Sequence, residues 1–367
     1  MALNLVRNSR VFFTTDVSPT TGVVDIAALE SAKTYEIQVL DGFTFSQNTN
    51  QETVTINEAG NAPVRGQRSF NTSLAPVDFS MSTYIRPRLD ATNVVAEESV
   101  LWGALSSVTG DGWNTGSPAQ VDFDASNAHQ LQKFGLIIIL DNVTYVIDDC
   151  VLTQATIDFG IDAIATIAWT GQGKSIRKLA TNGTASAGTF GGGLTGSYIQ
   201  KNTTAPYIAN KLSTATVASG GTTYQVALTG GSITINNNVT YLTPANLGVV
   251  NQPATYFTGT RAITGSMNAY LKTGATNDTG ALLASMLADT TNVEPKFNTI
   301  ITIGGSASSI KVGLEMPTAM LTIPTIDVQQ VVSTTINFTA QSSTDGTAAG
   351  AYDITQANEL KVKYYAA

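Results

Sequence analysis

The sequence has one cysteine and one histidine among 367 residues, and charged residues make up only 13% of it. A single cysteine, Cys150, excludes an intrachain disulfide framework and points to folding in a reducing compartment. His129 stands alone, so the chain has neither a Ser-His-Asp triad nor a zinc set that it could build without a second copy. Basic residues are scarce as well: 19 Lys and Arg face 27 Asp and Glu, for a formal net charge of −8. That balance excludes a protein that grips nucleic acid through its phosphates, which takes clustered cations. Long apolar runs are missing too. The longest purely aliphatic stretch, Leu136 to Leu140, is far too short to cross a bilayer, and Met1 to Arg10 lacks the charged-then-apolar pattern of a secretion signal. The expectation is a protein made in the cytoplasm, with no membrane partner.

What fills the gap left by charge is Thr, Asn, Ser and Gly, with 32 glycines in all. This is the profile of exposed β-structure assembled into larger bodies. The length suits two domains, each able to bury a core.

Internal similarity supports that division. The segment from Thr34 to Phe45 is echoed from Thr223 to Ile235, both reading strand, glycine bend, strand. Phe79-Ser80-Met81-Ser82-Thr83-Tyr84-Ile85-Arg86 matches Gly265-Ser266-Met267-Asn268-Ala269-Tyr270-Leu271-Lys272 without a gap. Each then leads to an apolar cluster at helical spacing, and the spacing of four pairs Leu101 with Leu105 and Leu283 with Leu287 as packing faces. Asn93 and Asp278 are the candidate caps, and Glu97 and Glu98 fall in the first turns, where the helix dipole favours acids.

A last block, Ile157 to Thr170, matches Ile326 to Thr339 with Trp169 beside Phe338. Each copy is preceded by a hairpin of two strands. Asn8 to Phe13 also resembles Asn210 to Ala215. The order strand, hairpin, helix, hairpin, strand therefore occurs twice, predicting a mainly β fold of two tandem domains, each with one short flanking α-helix. Between the copies, Thr181 to Thr204 has the composition of a flexible connector or exposed loop. The predicted domains are 1–204, with the connector at its end, and 205–367.

Two long polar stretches, Ser46 to Arg68 and Asn236 to Arg261, interrupt corresponding places in the copies. Stretches this long without helical pattern are usually functional or disordered. They are predicted to be arms that reach an adjacent subunit, with Thr53, Thr55, Asn57, Glu58, Pro63, Arg65, Tyr241, Leu242, Leu247 and Val249 as contacts between stacked layers.

Three blocks carry a family resemblance: Leu40-Asp41-Gly42-Phe43-Thr44-Phe45-Ser46-Gln47, Pro76 to Pro87, and Gly220-Gly221-Thr222-Thr223-Tyr224. They resemble those of bacteriophage tail tube proteins, also called major tail proteins, and the likeness covers most of the chain. It implies a small β-sandwich or barrel with one helix on its flank, rings of such domains, and stacked rings forming the tube through which genomic DNA leaves the capsid. It places the chain in the virion tail, with sheath, tape measure, baseplate and terminator proteins as further partners.

The sequence departs from the simplest members by carrying the domain twice. The resemblance implies four barrel strands per domain and six domains per ring, hence 24 strands, which close at a backbone diameter of about 48 Å and leave room for a duplex about 20 Å across. Six duplicated chains would double that width, so three chains per ring, with pseudo-sixfold symmetry, are expected. A conduit must not bind its cargo, so its lining should be acidic or neutral.

Catalytic readings find little footing, and neither an enzyme activity nor a cofactor is expected. Gly171-Gln172-Gly173-Lys174-Ser175 ends like a phosphate-binding loop but has Ala168 where the first glycine belongs, and no apolar helix follows. Gly304-Gly305-Ser306-Ala307-Ser308 lacks the last glycine of a nucleophile elbow. Asp122 with Asp124, and Asp148 with Asp149, read as solvated turns, since no calcium-loop spacing is present. Trp102, Trp169 and Trp113 read as core or interface anchors. The alternatives are an Ig-like decoration or adhesion protein of the virion, and the tube of a phage-derived secretion or bacteriocin particle.

Overall fold

Side-chain alternation decides most of the fold. Along Thr166–Gly173 the buried positions are Ile167, Trp169, Gly171 and Gly173; along Ser333–Gln341 they are Thr334, Ile336, Phe338 and Ala340. A period of two puts those residues on one sheet face and Thr, Ser, Asn and Gln on the other. The structure, a computed structural model of the chain, describes residues 9–25, 29–54, 67–123, 125, 130–186, 188–289, 293, 295–305, 310–328 and 331–366.

The chain opens with β1 (Ser9–Thr14), β2 (Thr34–Ile37) and a long hairpin of β3 (Thr44–Val54) and β4 (Arg68–Tyr84). A small hairpin, β5 (Arg88–Asp90) and β6 (Asn93–Val95), leads into α1 (Ser99–Ser106), then to the short strands β7 (Trp113–Asn114) and β8 (Ala119–Val121). Next come β9 (Phe134–Leu140), β10 (Val143–Asp158), β11 (Thr166–Gly173) and β12 (Ser175–Lys178), and the hairpin of β13 (Asn182–Thr184) and β14 (Thr189–Gly191). The second half holds β15 (Thr214–Ser219), β16 (Thr222–Val226), β17 (Leu228–Asn236), the hairpin β18 (Val239–Leu242) and β19 (Thr255–Thr258), β20 (Ala262–Tyr270) and α2 (Thr279–Ala288). It ends with β21 (Phe297–Gly304), β22 (Lys311–Leu321), β23 (Thr325–Asp327), β24 (Ser333–Gln341) and β25 (Lys361–Tyr365). The fold is mainly β, with two α-helices among the described residues.

Antiparallel ladders in the first half run β2-β1-β9-β10-β11-β4-β3. In the second they run β16-β15-β21-β22-β24-β20-β17, the same order element for element. Even the extra partner of the long strand recurs, since β10 also takes β12 and β22 also takes β25. The halves meet where β10 pairs with β17, from Gln154 opposite Asn236 to Asp158 opposite Ser232. That ladder joins four strands of each half into one sheet, β3-β4-β11-β10-β17-β20-β24-β22, with β23 continuing β22 along β24.

The pairing also fixes which residues correspond. Trp169 lies opposite Met81 and Ile336 opposite Met267, so Ile336 occupies the place of Trp169, two residues from the sequence match. Phe13 lies opposite Tyr35 and Val217 opposite Tyr224, so Val217 is its counterpart, again two residues off, and Asn210–Leu212 is a 3₁₀ turn ahead of the strand. A slip of two keeps every side chain on its face, so alternation alone cannot detect it. One exchange marks the true register. Phe79 of β4 lies over Gly171 of β11, where a Cβ would sit 2.2 Å from Phe79 Cζ; Phe338 of β24 lies over Gly265 of β20, where it would sit 2.4 Å from Phe338 Cζ. The aromatic and the glycine have traded strands, each glycine making room for the ring opposite.

One apolar cluster spans both halves, from Val11 to Tyr364. At its centre Trp102 and Trp169 meet edge to face with centroids 5.1 Å apart, worth about 0.5–1.5 kcal/mol beyond the area they bury. Trp102 Nε1 donates to the Tyr364 hydroxyl at 2.7 Å, tying α1 to β25, and β25 pairs with β8 of the first half. Arg86, also buried, donates from Nε to the Ala205 carbonyl at 3.1 Å, and its guanidinium lies 4.5 Å from the Tyr207 ring centre.

The stretch from Thr181 to Thr204 is not a free connector. Phe190 and Leu194 are buried with Phe12, Ile137, Ile139 and Val146 in a second cluster on the outer side of β1, β9 and β10. Its composition misled because the glycines serve tight turns and close packing: Gly191, Gly192 and Gly193 all have positive φ, and Gly183 stacks its backbone on Thr189 and Phe190.

Asp278 caps α2 as anticipated, accepting from Ala281 N at 3.0 Å. Asn93 caps nothing, because it lies in β6 and the residue at the start of α1 is Glu98. Glu97 and Glu98 both precede the helix, so its first turn holds no acid.

Candidate functional site

The face of the eight-strand sheet turned away from the core is lined by small polar side chains. Ser82, Ala168, Thr156, Thr234, Thr264, Thr339 and Met320 run across seven strands in register, each opposite the next. Hydroxyls and amides pair along such rows. Thr44 Oγ1 lies 2.7 Å from Ser80 Oγ, Thr156 Oγ1 lies 3.1 Å from Thr234 Oγ1, and Thr335 Oγ1 donates to Asn268 Oδ1 at 3.0 Å. Cross-strand pairs of this kind each contribute about 0.2–1 kcal/mol.

Where the eight strands lie side by side, charge on this face comes from Asp78, Asp158 and Asp327 with no Lys or Arg among them, and Glu52 and Arg68 follow only in the outer part of the β3-β4 hairpin. Asp158 and Asp327 hold matching places, opposite Thr166 on β11 and Ser333 on β24. Asp78 is held by Gln172, whose Nε2 donates to it at 2.9 Å. Thr44, Asp78, Gln154 and Asn236 border a shallow hollow of about 530 Å³ on the same face. Its walls offer hydrogen bonds and no cation, so it has nothing with which to hold a phosphate.

Both ends of the sheet are open. Among the described residues β3 pairs only with β4, and β23 only with β24. Large apolar side chains line the second edge, with Ile323, Ile326 and Val328 all exposed. Such an edge is a template for a further strand.

The predicted arms are placed in part. Thr53 lies in the exposed outer part of β3, opposite Ser69, while Thr55, Asn57, Glu58, Pro63 and Arg65 lie outside the described residues. In the second arm Leu242, Leu247 and Val249 are exposed, Leu247 fully. Tyr241 is turned inward instead, packing with Leu131 and Val151 and donating its hydroxyl to the Asp149 carbonyl. The two arms touch: Leu74 N donates to the Asn251 carbonyl at 2.8 Å, and Asn251 N to the Thr72 carbonyl at 3.1 Å.

Of the helix positions, Leu101 and Leu105 are fully buried and Leu283 is buried, but Leu287 is 55% exposed. The Leu105 carbonyl accepts from Asn237 Nδ2 at 2.9 Å, so α1 sits across the junction of the halves, while α2 packs on β16 and leaves Leu287 uncovered.

The catalytic look-alikes resolve into structure. Gly171 and Gly173 belong to β11 and Ser175 begins β12, so no phosphate loop forms there. Asp148 and Asp149 are buried within β10, not in a solvated turn. Asp148 takes Arg177 through both oxygens, at 2.9 and 3.2 Å, and Asp149 pairs with Lys133 at 2.9 Å. Both lie where the ladder with β9 is irregular, and Asp149 has φ +53°, so they brace the bend that carries β10 from one sheet to the next. Trp102 and Trp169 are core residues, and Trp113 packs on Tyr364 with centroids 4.9 Å apart. Burial pushes the Cys150 thiol well up, as does the neighbouring Asp148, which suits a packing residue rather than a nucleophile. His129 and Asp124 lie outside the described residues.

Among those described, no three of His, Cys, Asp and Glu come together to hold a metal, and no helix is long and apolar enough to cross a membrane.

Comparison with known proteins shows the family. A family model described as phage tail tube protein matches residues 14–340. Tail tube protein pb6 of Escherichia phage T5 is 32% identical over 365 residues, covering 93% of this chain and 73% of that protein.

Proposed function

The chain belongs to the phage tail tube protein family, and from that premise we propose that three copies close into a ring whose stacked repeats form the hollow conduit for DNA. It is a structural protein of the virion tail. The observation that carries the proposal is the eight-strand sheet, whose polar face is free of cations where the strands lie side by side, with an open edge at each end. Three such sheets supply the 24 strands of a barrel about 48 Å across. Turned inward, the free face would present Thr, Ser, Asn and Gln with a few aspartates, which slide past phosphates without displacing their counterions.

The repeated pairing order supports reading residues 1–204 and 205–367 as two copies of one tube domain, each filling one sixth of the ring. The halves share a core, so they act as one rigid wall segment. No catalytic step is needed, since the protein works by shape and assembly. Sheath, tape measure, baseplate and terminator proteins are the partners this role implies.

Cryo-electron microscopy of assembled tubes tests the proposal by counting chains per layer. Three chains with their halves alternating around the axis is the expected result. Six chains in one layer would refute it, and so would a protein that stays monomeric under assembly conditions.

A further inference from the structure

The ladder inside the chain gives the register of the one between chains. Resting on the ring reading above, we infer that the ring closes by antiparallel pairing of β23 of one copy with β3 of the next, with Asp327 opposite Thr44, Ile326 opposite Phe45 and Thr325 opposite Ser46.

The argument runs through the correspondence of strands. β3 borders β4 as β17 borders β20, with Phe45 opposite Phe79 and Ile233 opposite Gly265. Phe79 and Gly265 hold equivalent places, so Phe45 is the counterpart of Ile233. At the other end, Ile157 lies opposite Ile167 on β11 and Ile326 opposite Thr334 on β24, each next to the aspartate that ends its strand. Ile326 is therefore the counterpart of Ile157. Within the chain Ile157 pairs with Ile233, Asp158 with Ser232 and Thr156 with Thr234.

Transferred across the ring, each pair keeps its chemistry. An aspartate again faces a hydroxyl, an apolar residue an apolar residue, and a threonine a hydroxyl. Burial agrees: Ile157 and Ile233 are 0% exposed, whereas Ile326 is 42% exposed. The open strand thus has the same side chains as the closed one, waiting for the partner that its twin already has. Because the two edges differ, the contact is head to tail, the kind that generates rings when the rotation closes.

Disulfide trapping in the full-length chain tests the register. Ser46→Cys with Thr325→Cys is compared with Thr44→Cys with Thr325→Cys and with Asn48→Cys with Thr325→Cys, which shift the pair by two residues on the same face. Each is assembled under reducing conditions, oxidised and run on a non-reducing gel; Cys150, fully buried, is common to all. Directly opposed residues lie about 4.5–5.5 Å apart at Cβ and diagonal ones about 7–8 Å, against the roughly 3.8 Å a disulfide takes. The expected result is covalent dimer and trimer from the Ser46 pair, at least fivefold above both shifted pairs.

Faster bonding in either shifted pair, or assembled rings with no bond in any, would overturn the register and leave the ring standing. A wild-type chain that forms no rings would overturn the ring reading itself. Ile326→Glu gives a second measurement. Folded chains that no longer close are expected, and unimpaired rings would overturn the ladder.

Discussion

Glu98 is fully buried beside α1, where it accepts from Arg86 N at 3.3 Å and is hydrogen-bonded to Tyr364. Burial pushes its carboxyl up to about 7, from 4.5. Between those values the folded chain keeps a proton that the unfolded chain releases, so stability falls as pH rises through that window and stays reduced above it. The effect is on the order of 3 kcal/mol at most. Glu98→Gln keeps the acceptor oxygen and removes the charge. Thermal unfolding is therefore expected to show a midpoint a few degrees higher than wild type at pH 8, with little difference at pH 4.5; an unchanged gap between the two pH values would sink this assignment.

Sequence reading found Asp278 as a cap because a capping aspartate acts locally. It missed Asn93, the buried pair Asp148 and Asp149, and the inward turn of Tyr241. Those positions are set by residues far along the chain, such as Arg177 for Asp148, which no local pattern reveals.

At the scale of elements, strands and helices were legible because alternation and spacing of four are written in the residues themselves. Register was less so, since a shift of two preserves the pattern, and only the traded Phe and Gly pairs reveal it. The Gly-rich stretch after Lys178 was misread for a related reason: glycine that permits close packing has the same composition as glycine that permits freedom.

The arms belong to this scale. The β3-β4 hairpin and the loop after β18 contact each other where Asn251 meets Leu74 and Thr72. Deleting Thr53 to Gly60 is expected to leave a folded, soluble protein, by circular dichroism and gel filtration, that makes no tubes in negative stain. Normal polymerisation of the deletion would remove the arms from the contact between layers.

For the whole molecule, the scarcity of cations was legible in the composition, whereas which residues form the free face became visible only with the pairings. Asp78→Lys with Asp158→Lys would add six lysines to a ring of three chains. Assembled tubes of that variant are expected to retain duplex DNA at low salt and release it as salt rises, because each neutralised phosphate frees a counterion. Wild-type tubes should retain none under the same filter-binding conditions. Equal retention by both would show that this face is not the one that meets DNA.

The last described strand, β25, lies between β22 and β8 and supplies the hydroxyl that Trp102 needs. It is also the last of these elements to leave the ribosome. A nascent chain therefore leaves Trp102 without that hydroxyl until β25 has been made, and the wedge that could join its sisters is complete only from that point. Polypeptides cut short before β25 are thereby expected to stay out of a growing polymer.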